Sequence, residues 1–313
     1  MATTRRAPQG SRNALVALLG LGIAAASLAG CGQEKRGAIA GPDTTAAFVP
    51  NNPIYGLCFS AYVYPEQQGG SVIPLAQITA LLSTLRGYTQ WIRTFGFDRG
   101  LEAVAPVARQ MGFKTAMGAY APWEYPNLAA AAKAGNVDLA IAGGEMVLNG
   151  ASEASVLSNI QSLRSQLPAG IPVTYADTKE VLLAHPKLMD AVDVVMVNIY
   201  PFAWGISIDQ ALPWLQSAYA DVVQAAKGKQ VILAETGWPS VGPLWGAALP
   251  STANTAAYFT AVEAWARSAN VPLFYFQAYD EPSMLNENGH GNWGIFLYTT
   301  GELKPGVEAV FRK

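Results

Sequence analysis

Short apolar runs alternate along this chain with longer segments whose apolar residues recur at helical spacing. Runs of this kind predict parallel strands joined by crossover helices. Eight such units within about 260 residues favour a closed barrel over an open sheet. The fold class is therefore predicted as α/β, a single (β/α)8 TIM barrel. The predicted strands are Ile54–Tyr62, Gln90–Phe95, Lys114–Tyr120, Val137–Ala142, Pro172–Tyr175, Val192–Ile199, Gln230–Ala234 and Pro272–Gln277.

Between the strands, the 3.6-residue period is clearest over Pro74–Arg86, Ala151–Leu167 and Thr252–Ser268. Most strands end in polar or aromatic residues. In a barrel these carboxyl ends form one mouth, where active sites lie. A structural cap explains any one of these residues, whereas their recurrence at seven strand ends indicates a site. The residues are Arg93, Tyr120, Glu145, Asp177, Asn198 with Tyr200, Glu235, and Gln277.

The composition supports a large core and limits the classes of partner. Hydrophobic residues make up 51% of the chain and charged residues 13%, which favours a globular protein over a disordered one. This low charge argues against nucleic acid as a partner, because neutralising phosphates requires many Lys and Arg. The two His residues, His185 and His290, leave little material for a metal site. With no Gly-rich phosphate loop after a strand, no metal and no cofactor are expected.

Residues 1–30 are predicted to be an export signal rather than part of the fold. Arg5, Arg6 and Arg12 precede an apolar stretch, 14–28, that is shorter than the ~20 residues needed to span a bilayer. Subtracting these three Arg from the 20 basic residues leaves 17 against 22 acidic ones, a net charge of −5. A mildly acidic mature chain suits a neutral substrate better than a polyanion.

Positions 28–31, Leu-Ala-Gly-Cys, resemble the lipobox of bacterial lipoproteins. The resemblance implies cleavage before Cys31 and acylation of its thiol, which would hold an exported protein at a bacterial membrane, facing the periplasm or the cell surface. An ordinary signal peptide with a chance Cys is the alternative. Gly32 is not the Asp associated with inner-membrane retention, which is compatible with the outer membrane. Residues 31–52 are predicted to be a lipidated tether, and 53–313 the folded, monomeric domain.

Two glutamates stand at strand ends that face each other across a barrel. Glu145 follows the fourth predicted strand and Glu235 the seventh. Glycoside hydrolysis needs one protonated carboxyl to assist the leaving oxygen and one ionised carboxylate to attack the anomeric carbon. A structural carboxylate paired with Arg93 is the alternative. The pair predicts a glycosidase or a transglycosylase, since water or a sugar hydroxyl can act as the acceptor with the same residues.

The strand-end motifs resemble glycoside hydrolase family 17, the β-1,3-glucanases and β-1,3-glucanosyltransferases. The resemblance runs from about residue 55 to 305 and implies a retaining barrel enzyme acting on β-1,3-glucan. The sequence AETGWPS is the most specific of the motifs. The motifs are GLCFSAY (56–62), IRTFGFD (92–98), GGEMVLNG (143–150), NIYPF (198–202), AETGWPS (234–240), YDEP (279–282) and NWGIF (292–296).

The resemblance assigns roles position by position. It implies that Glu145 is the general acid/base and Glu235 the nucleophile. Tyr200 would hydrogen-bond the nucleophile, and Trp238 would be a platform on which a sugar stacks beside the cleavage point. The remaining residues would line the mouth or contact sugar, with Glu281 the weakest of them. They are Tyr62, Arg93, Tyr120, Asp177, Asn198 and Glu281. The second cysteine, Cys58, lies in an apolar run and is interpreted as a buried, unreactive thiol.

The chain departs from the family at three places. Gly144 stands where the family usually has Asn before the acid/base, a residue expected to bind the sugar 2-hydroxyl. Ser283 and Met284 replace the Trp-Lys that often follows YDEP. His290 occupies the place of an acidic residue before the WG dipeptide. These changes affect the contacts to substrate and neither catalytic carboxylate.

Three functions compete at this point. The first is an active glycoside hydrolase or transglycosylase on β-glucan. The second, motivated by Gly144, is a carbohydrate-binding lipoprotein of the cell envelope on a degenerate barrel. The third is a purely structural envelope lipoprotein. Retention of both Glu145 and Glu235 favours the enzyme, because a binding protein has no need of two such carboxylates.

Overall fold

The computed structural model describes residues 50–285 and 289–312. Eight parallel strands form one closed barrel in sequence order, and the last strand pairs with the first. This confirms the predicted single (β/α)8 TIM barrel of the α/β class. The strands are β1 Ile54–Cys58, β2 Thr89–Arg93, β3 Lys114–Ala119, β4 Leu139–Gly144, β5 Val173–Thr178, β6 Val195–Asn198, β7 Val231–Thr236 and β8 Leu273–Tyr275.

Helices pack outside the barrel between successive strands, and two short ones separate β5 from β6. The two long helices that follow β4 and β7 each begin with a serine cap. Ser152 accepts the Ser155 amide at 3.1 Å and Ser251 accepts the Asn254 amide at 3.0 Å. The helices among the described residues are α1 Leu75–Thr84, α2 Val104–Gln110, α3 Tyr125–Lys133, α4 Glu153–Gln166, α5 Lys179–Ala184, α6 Pro186–Ala191, α7 Ile208–Ala225 and α8 Thr252–Ser268.

The strand bounds differ from the predicted ones mainly at the carboxyl ends. β1 stops at Cys58, because the last ladder bond is the Phe59 amide to the Arg93 carbonyl at 2.8 Å and the chain then turns over the mouth. β5 and β7 continue beyond their apolar runs to Thr178 and Thr236. Asp177, Glu235 and Thr236 in these extensions have hydrogen-bond partners inside the protein, which stabilise them in the sheet.

Three irregularities in the sheet lie at the mouth. The pairing register shifts at Gly144 on β4, at Asn198 on β6 and at Thr236 between β7 and β8. A shift of this kind bends a strand and re-aims its side chains. Within the barrel the strands pack closely, since a Cβ on Gly56 would lie 2.4 Å from the ring of Phe274.

The predictions for the N-terminal region cannot be followed in the structure. Residues 1–30, Cys31 and all but the end of the 31–52 tether lie outside the described residues. Within the described part of the chain, no helix combines the length and apolar character that a membrane crossing requires.

Candidate active site

Glu235 lies at the end of β7 with both carboxylate oxygens hydrogen-bonded. Arg93, on β2, brings Nη1 to 2.7 Å from Oε1 of Glu235, and the hydroxyl of Tyr200 donates to Oε2 at 2.8 Å. Glu235 is 5% exposed and Arg93 is 1% exposed. A charged partner and an O–H donor both stabilise the ionised carboxylate in a region that little water reaches.

Glu145 follows β4 in a different environment. The Asn198 side-chain amide donates to Oε1 at 2.9 Å, while Oε2 is buried and has no hydrogen-bond partner within the described residues. Burial raises the pKa of Glu145 well above its usual range, and the negative charge of Glu235 raises it further. The surroundings of Glu145 thus favour its protonated form, whereas the two donors to Glu235 favour a carboxylate there.

The backbone around Glu145 adopts an unusual conformation to bring its carboxyl into the barrel. Glu145 has φ 51° and Gly143 has φ 87°. A Cβ on Gly143 would lie 2.6 Å from the Met146 sulfur, so this position needs glycine. The Glu145 amide donates to the Ala176 carbonyl on β5 at 2.8 Å, which ties the turn to the next strand. Positive φ at a non-glycine residue is strained and marks functional sites.

Tyr200 occupies the role that the sequence resemblance implied, as the hydrogen-bond donor to Glu235. Burial raises the pKa of Tyr200, and the Glu235 charge raises it further, so the hydroxyl remains protonated. Its ring is fixed by edge-on contacts with Phe276 at 6.0 Å and Trp293 at 5.7 Å between ring centroids. Phe276 and Trp293 therefore set the position of the donor, a function that sequence analysis did not assign to them.

A cleft of about 500 Å³, including its open mouth, contains both glutamates. Half-buried Tyr120 lies close to Glu145: burial raises its pKa, and the Glu145 charge raises it further. Arg93 and Tyr120 thus line the cleft as predicted. The lining residues are Arg93, Thr94, Phe95, Gly118, Tyr120, Ile141, Gly143, Gly144, Glu145 and Glu235. Of these, Phe95 lies within the IRTFGFD motif, but the sequence analysis predicted no role for it at the site.

Tyr62 follows β1 and Glu281 follows β8, and the two side chains lie near each other. Neither is among the residues that line this cleft. Burial raises the pKa of Tyr62 to about 12, with contributions from the charges of Asp98 and Glu281. Burial also raises the pKa of Glu281 to about 7, against the lowering effect of a hydrogen bond with Ser60. Both residues are partly exposed. Whether they contact sugar stays a prediction.

Trp238 is not a stacking platform in this structure, which contradicts the prediction. Its side chain is fully buried, its Nε1 donates to the Leu249 carbonyl at 3.0 Å, and its ring packs against Phe202 and Tyr258. The preceding Gly237 presses on the Phe276 carbonyl, where a Cβ would lie 2.1 Å from the oxygen. The chain passes too close to β8 there for the indole to remain at the mouth.

Asp177 also fails to line the mouth. It is fully buried at the end of β5, and its carboxylate accepts the Tyr175 hydroxyl and the Thr178 amide. Asn198 does reach the site, but as the 2%-exposed partner of Glu145 rather than as an open surface. Cys58 is a buried thiol, as interpreted, and lies 3.3 Å from Arg93 Nη1.

The barrel, with two buried carboxylates of opposite character at the ends of β4 and β7, has the architecture of a glycosidase. Comparison with known proteins identifies the family. Residues 56–294 match the BtgE/BtgC glycoside hydrolase domain. The chain belongs to this family, which confirms the predicted class of enzyme.

Two fungal relatives illustrate the similarity in sequence. A probable glucan endo-1,3-β-glucosidase, btgC, of Aspergillus fumigatus is 36% identical over 140 residues, 39% of this chain and 20% of the relative. A probable β-glucosidase, btgE, of the same species is 29% identical over 238 residues, 71% of this chain and 41% of the relative. The chain therefore spans about a fifth and two fifths of these relatives.

Solved structures give the same picture. The β-1,3-glucanosyltransferase of glycoside hydrolase family 17 from Rhizomucor miehei superposes with a TM-score of 0.70 at 27% identity, covering 81% of this chain and 96% of that one. An active-site mutant of that enzyme in complex with laminaritriose superposes with a TM-score of 0.68 at 26% identity, with the same coverage.

Proposed function

We propose that this chain is a family 17 retaining glycoside hydrolase or transglycosylase that acts on β-1,3-glucan through a glycosyl-enzyme intermediate. The observation that carries the proposal is the different surroundings of two carboxyl groups in one cleft. Glu235 has a donor on each oxygen, which favours its carboxylate form, whereas Glu145 has one buried oxygen without a partner in the described structure and a raised pKa. Double displacement requires this difference between nucleophile and acid.

In the first step, Glu235 attacks the anomeric carbon while Glu145 gives its proton to the departing glycosidic oxygen. The bond between sugar and leaving group breaks as the ester to Glu235 forms. Arg93 and Tyr200 hold the attacking carboxylate in one orientation until its charge is consumed. This orientation reduces the entropy that must be lost on reaching the transition state.

In the second step, the roles of the two glutamates change because the charge at Glu235 has gone. The neighbouring negative charge is the second contribution to the raised pKa of Glu145. Its loss in the ester makes Glu145 a weaker base but leaves it ionised after the proton transfer, so it is available to remove a proton from the acceptor. Water as acceptor gives hydrolysis, and a sugar hydroxyl gives transfer.

The substrate part of the proposal rests on the relatives. A relative described as a glucan endo-1,3-β-glucosidase, together with the superposed β-1,3-glucanosyltransferase and its laminaritriose complex, supports β-1,3-glucan as the class of polymer. The carbohydrate-binding alternative is less well supported, because a binding protein gains nothing from burying one glutamate with an unpaired oxygen close to a second, fully paired glutamate.

The direct test is to incubate the purified chain with β-1,3-gluco-oligosaccharides of defined length and to follow the products by mass. Shorter products are expected from hydrolysis and longer ones from transfer. Proton NMR of the first product should show the β-anomer, as retention requires. Glu235→Gln and Glu145→Gln should be inactive on these substrates, while Glu263→Gln, which changes a buried glutamate on α8, should retain activity. If the wild-type chain leaves every oligosaccharide intact, the proposed function is wrong.

We also propose that the chain is exported and lipid-anchored through Cys31. The proposal is supported by the sequence around residue 31 alone. In a bacterial host, the wild-type chain should incorporate labelled palmitate and fractionate with membranes, whereas Cys31→Ser should do neither. A wild-type chain that is exported without the label would show that residues 1–30 are an ordinary signal peptide.

A further inference from the structure

The turn that carries Glu145 rests on two buried side chains of β5 that the reaction itself does not use. Tyr175 and Asp177 are two residues apart, so both point to the same face of the strand. The Tyr175 hydroxyl donates to Asp177, and the Val147 amide donates to the Tyr175 hydroxyl at 3.1 Å. The backbone amides of Val147 and Leu148 also lie close enough to the Asp177 carboxylate to lower its pKa. We call Tyr175 and Asp177 the β5 clamp.

The clamp adds to the hydrogen bonds that hold this turn within itself and to the β5 backbone. Glu145 has φ 51°, a left-handed conformation that costs a non-glycine residue about 1–2 kcal/mol. Within the turn, the Asn149 amide and side chain both donate to the Glu145 carbonyl, at 3.0 and 2.8 Å. The Val147 amide donates instead to the Tyr175 hydroxyl of the clamp, and the Leu148 amide lies close to the Asp177 carboxylate.

Neither member of the clamp is placed to contact substrate. Asp177 is fully buried and Tyr175 is 1% exposed. Their side chains make polar contacts with each other, with the amide of Thr178 and with the 145–150 turn. Any effect on the reaction must therefore pass through the turn or through the charge of Asp177.

We propose that Tyr175 and Asp177 are positioning residues for the acid/base: by fixing the amides of the 145–150 turn, they set the direction in which Glu145 delivers its proton. The inference rests on the proposed role of Glu145. It separates two tasks within one cleft: Arg93 and Tyr200 hold the carboxylate of the nucleophile, whereas the β5 clamp holds the backbone turn that carries the acid/base.

The charge of Asp177 adds an electrostatic contribution. The ionisable groups that act on Glu145 are Glu235 and Asp177, which raise its pKa, and Arg93, which lowers it; Tyr120 and Tyr200 are also close. Burial raises the pKa of Asp177 to about 6, against hydrogen bonds that lower it. Above that pH its negative charge helps to keep Glu145 protonated.

The test compares two substrates that differ in their need for an acid. A β-1,3-gluco-oligosaccharide has a poor leaving group and needs proton transfer, whereas a dinitrophenyl β-glycoside does not. For Tyr175→Phe, kcat/KM should fall about tenfold to a hundredfold on the oligosaccharide, part of the 10²–10⁴-fold that general acid catalysis supplies. On the dinitrophenyl glycoside it should change less than about twofold.

Tyr219→Phe is the matched control, because the Tyr219 hydroxyl also donates to a backbone group. Its acceptor is the Val231 carbonyl, 2.9 Å away, at the amino-terminal end of β7. It should leave both substrates unaffected. Equal losses on both substrates in Tyr175→Phe would show a general structural defect and overturn the proposal, as would no loss on either.

Asp177→Asn is the second variant, should Tyr175→Phe not fold. It should move the alkaline limb of the kcat/KM profile to lower pH, because the negative charge that raises the pKa of Glu145 is removed. An unmoved limb would overturn the electrostatic part.

Hydrogen exchange of the turn separates this inference from the proposed function. In Tyr175→Phe the amides of Val147 and Leu148 should exchange at least about tenfold faster than in the wild type, a tenfold change being about 1.4 kcal/mol of local opening free energy. Unchanged exchange would overturn the clamp. A wild-type chain that is inactive on all glycosides would instead overturn the role of Glu145, whatever the exchange shows.

Discussion

The two sides of the cleft hold their glutamates by opposite means. On the β7 side, Glu235 receives a guanidinium and a hydroxyl, both within 2.8 Å and both from side chains that are themselves buried. On the β4 side, Glu145 stands on a left-handed turn with one hydrogen-bonded oxygen and one oxygen without a partner in the described residues. Glu235, the proposed nucleophile, has a donor on each oxygen, whereas Glu145, the proposed acid, has a donor on one oxygen only.

The difference shows how one barrel prepares two identical side chains for opposite tasks. A carboxyl group loses its proton where donors and positive charge compensate for the loss of water, and it keeps the proton where burial is uncompensated. Each carboxyl also acts on the other, since the charge on Glu235 is the second cause of the raised pKa of Glu145. Single substitutions test this contrast.

The largest effect is expected from Arg93→Met, which leaves Glu235 buried without its cation. Activity on β-1,3-gluco-oligosaccharides should fall about 10²–10³-fold, and the free energy of unfolding should fall by about 3–5 kcal/mol, as for other broken buried pairs. Urea unfolding and steady-state kinetics measure both. Arg164→Met is the control: its pair with Asp193 at 2.7 Å is more than a third exposed and is worth about 1 kcal/mol or less. Similar losses in the two variants would contradict the account.

Tyr200→Phe should lower kcat by about ten- to a hundredfold, since a hydrogen bond to a charged group is worth about 1.5–3 kcal/mol. The guanidinium remains, so the effect is smaller than that of Arg93→Met. Because the variant weakens the nucleophile, the loss should appear on dinitrophenyl glycosides as well as on oligosaccharides. A loss confined to oligosaccharides would place Tyr200 with the acid/base instead.

Gly144→Asn tests the departure from the family next to the acid/base. A Cβ at Gly144 would meet only the Ala176 carbonyl oxygen, at 3.9 Å, so a side chain fits there. If an Asn reaches the sugar 2-hydroxyl, kcat/KM should rise about fivefold, the equivalent of one hydrogen bond of ~1 kcal/mol. The neighbouring Gly143→Asn is the control and should lose activity, because its φ of 87° and the Met146 sulfur leave no room. A Gly144→Asn variant with lower activity would show that glycine is required there.

The smallest effect on activity, and a distinct one on stability, is expected from Glu263→Gln on α8. Burial raises the pKa of Glu263 from its usual 4.5 to about 8. Between these pH values the folded chain keeps a proton that the unfolded chain releases, so stability falls as pH rises from about 4.5 to 8. Glu263→Gln should reduce this fall between pH 5 and pH 8 in urea unfolding, with activity unchanged. The exposed Glu302→Gln should not alter the pH dependence.

Much of the fold followed from the order of residues along the chain. Eight apolar runs with helical segments between them predicted the barrel, and polar residues at the strand ends predicted its mouth. Strand ends were less well predicted, as β7 shows, because Glu235 is held in the strand by side chains distant in sequence. Arg93 and Tyr200 supply such a pairing for Glu235, and both lie more than thirty positions away in sequence.

The residues of the site likewise divide into those that the sequence predicted and those that tertiary contacts placed. The sequence by itself determined the two glutamates and the tyrosine that holds one of them, because closure of a parallel barrel brings the ends of all its strands to one mouth. Tertiary contacts alone set the burial of Trp238 in the core and the position of Asp177 beneath the 145–150 turn. Those outcomes depend on contacts such as Gly237 against the Phe276 carbonyl and Tyr175 beneath Val147. Side-chain direction at a strand end is set by neighbours in space, which residue type and spacing do not specify.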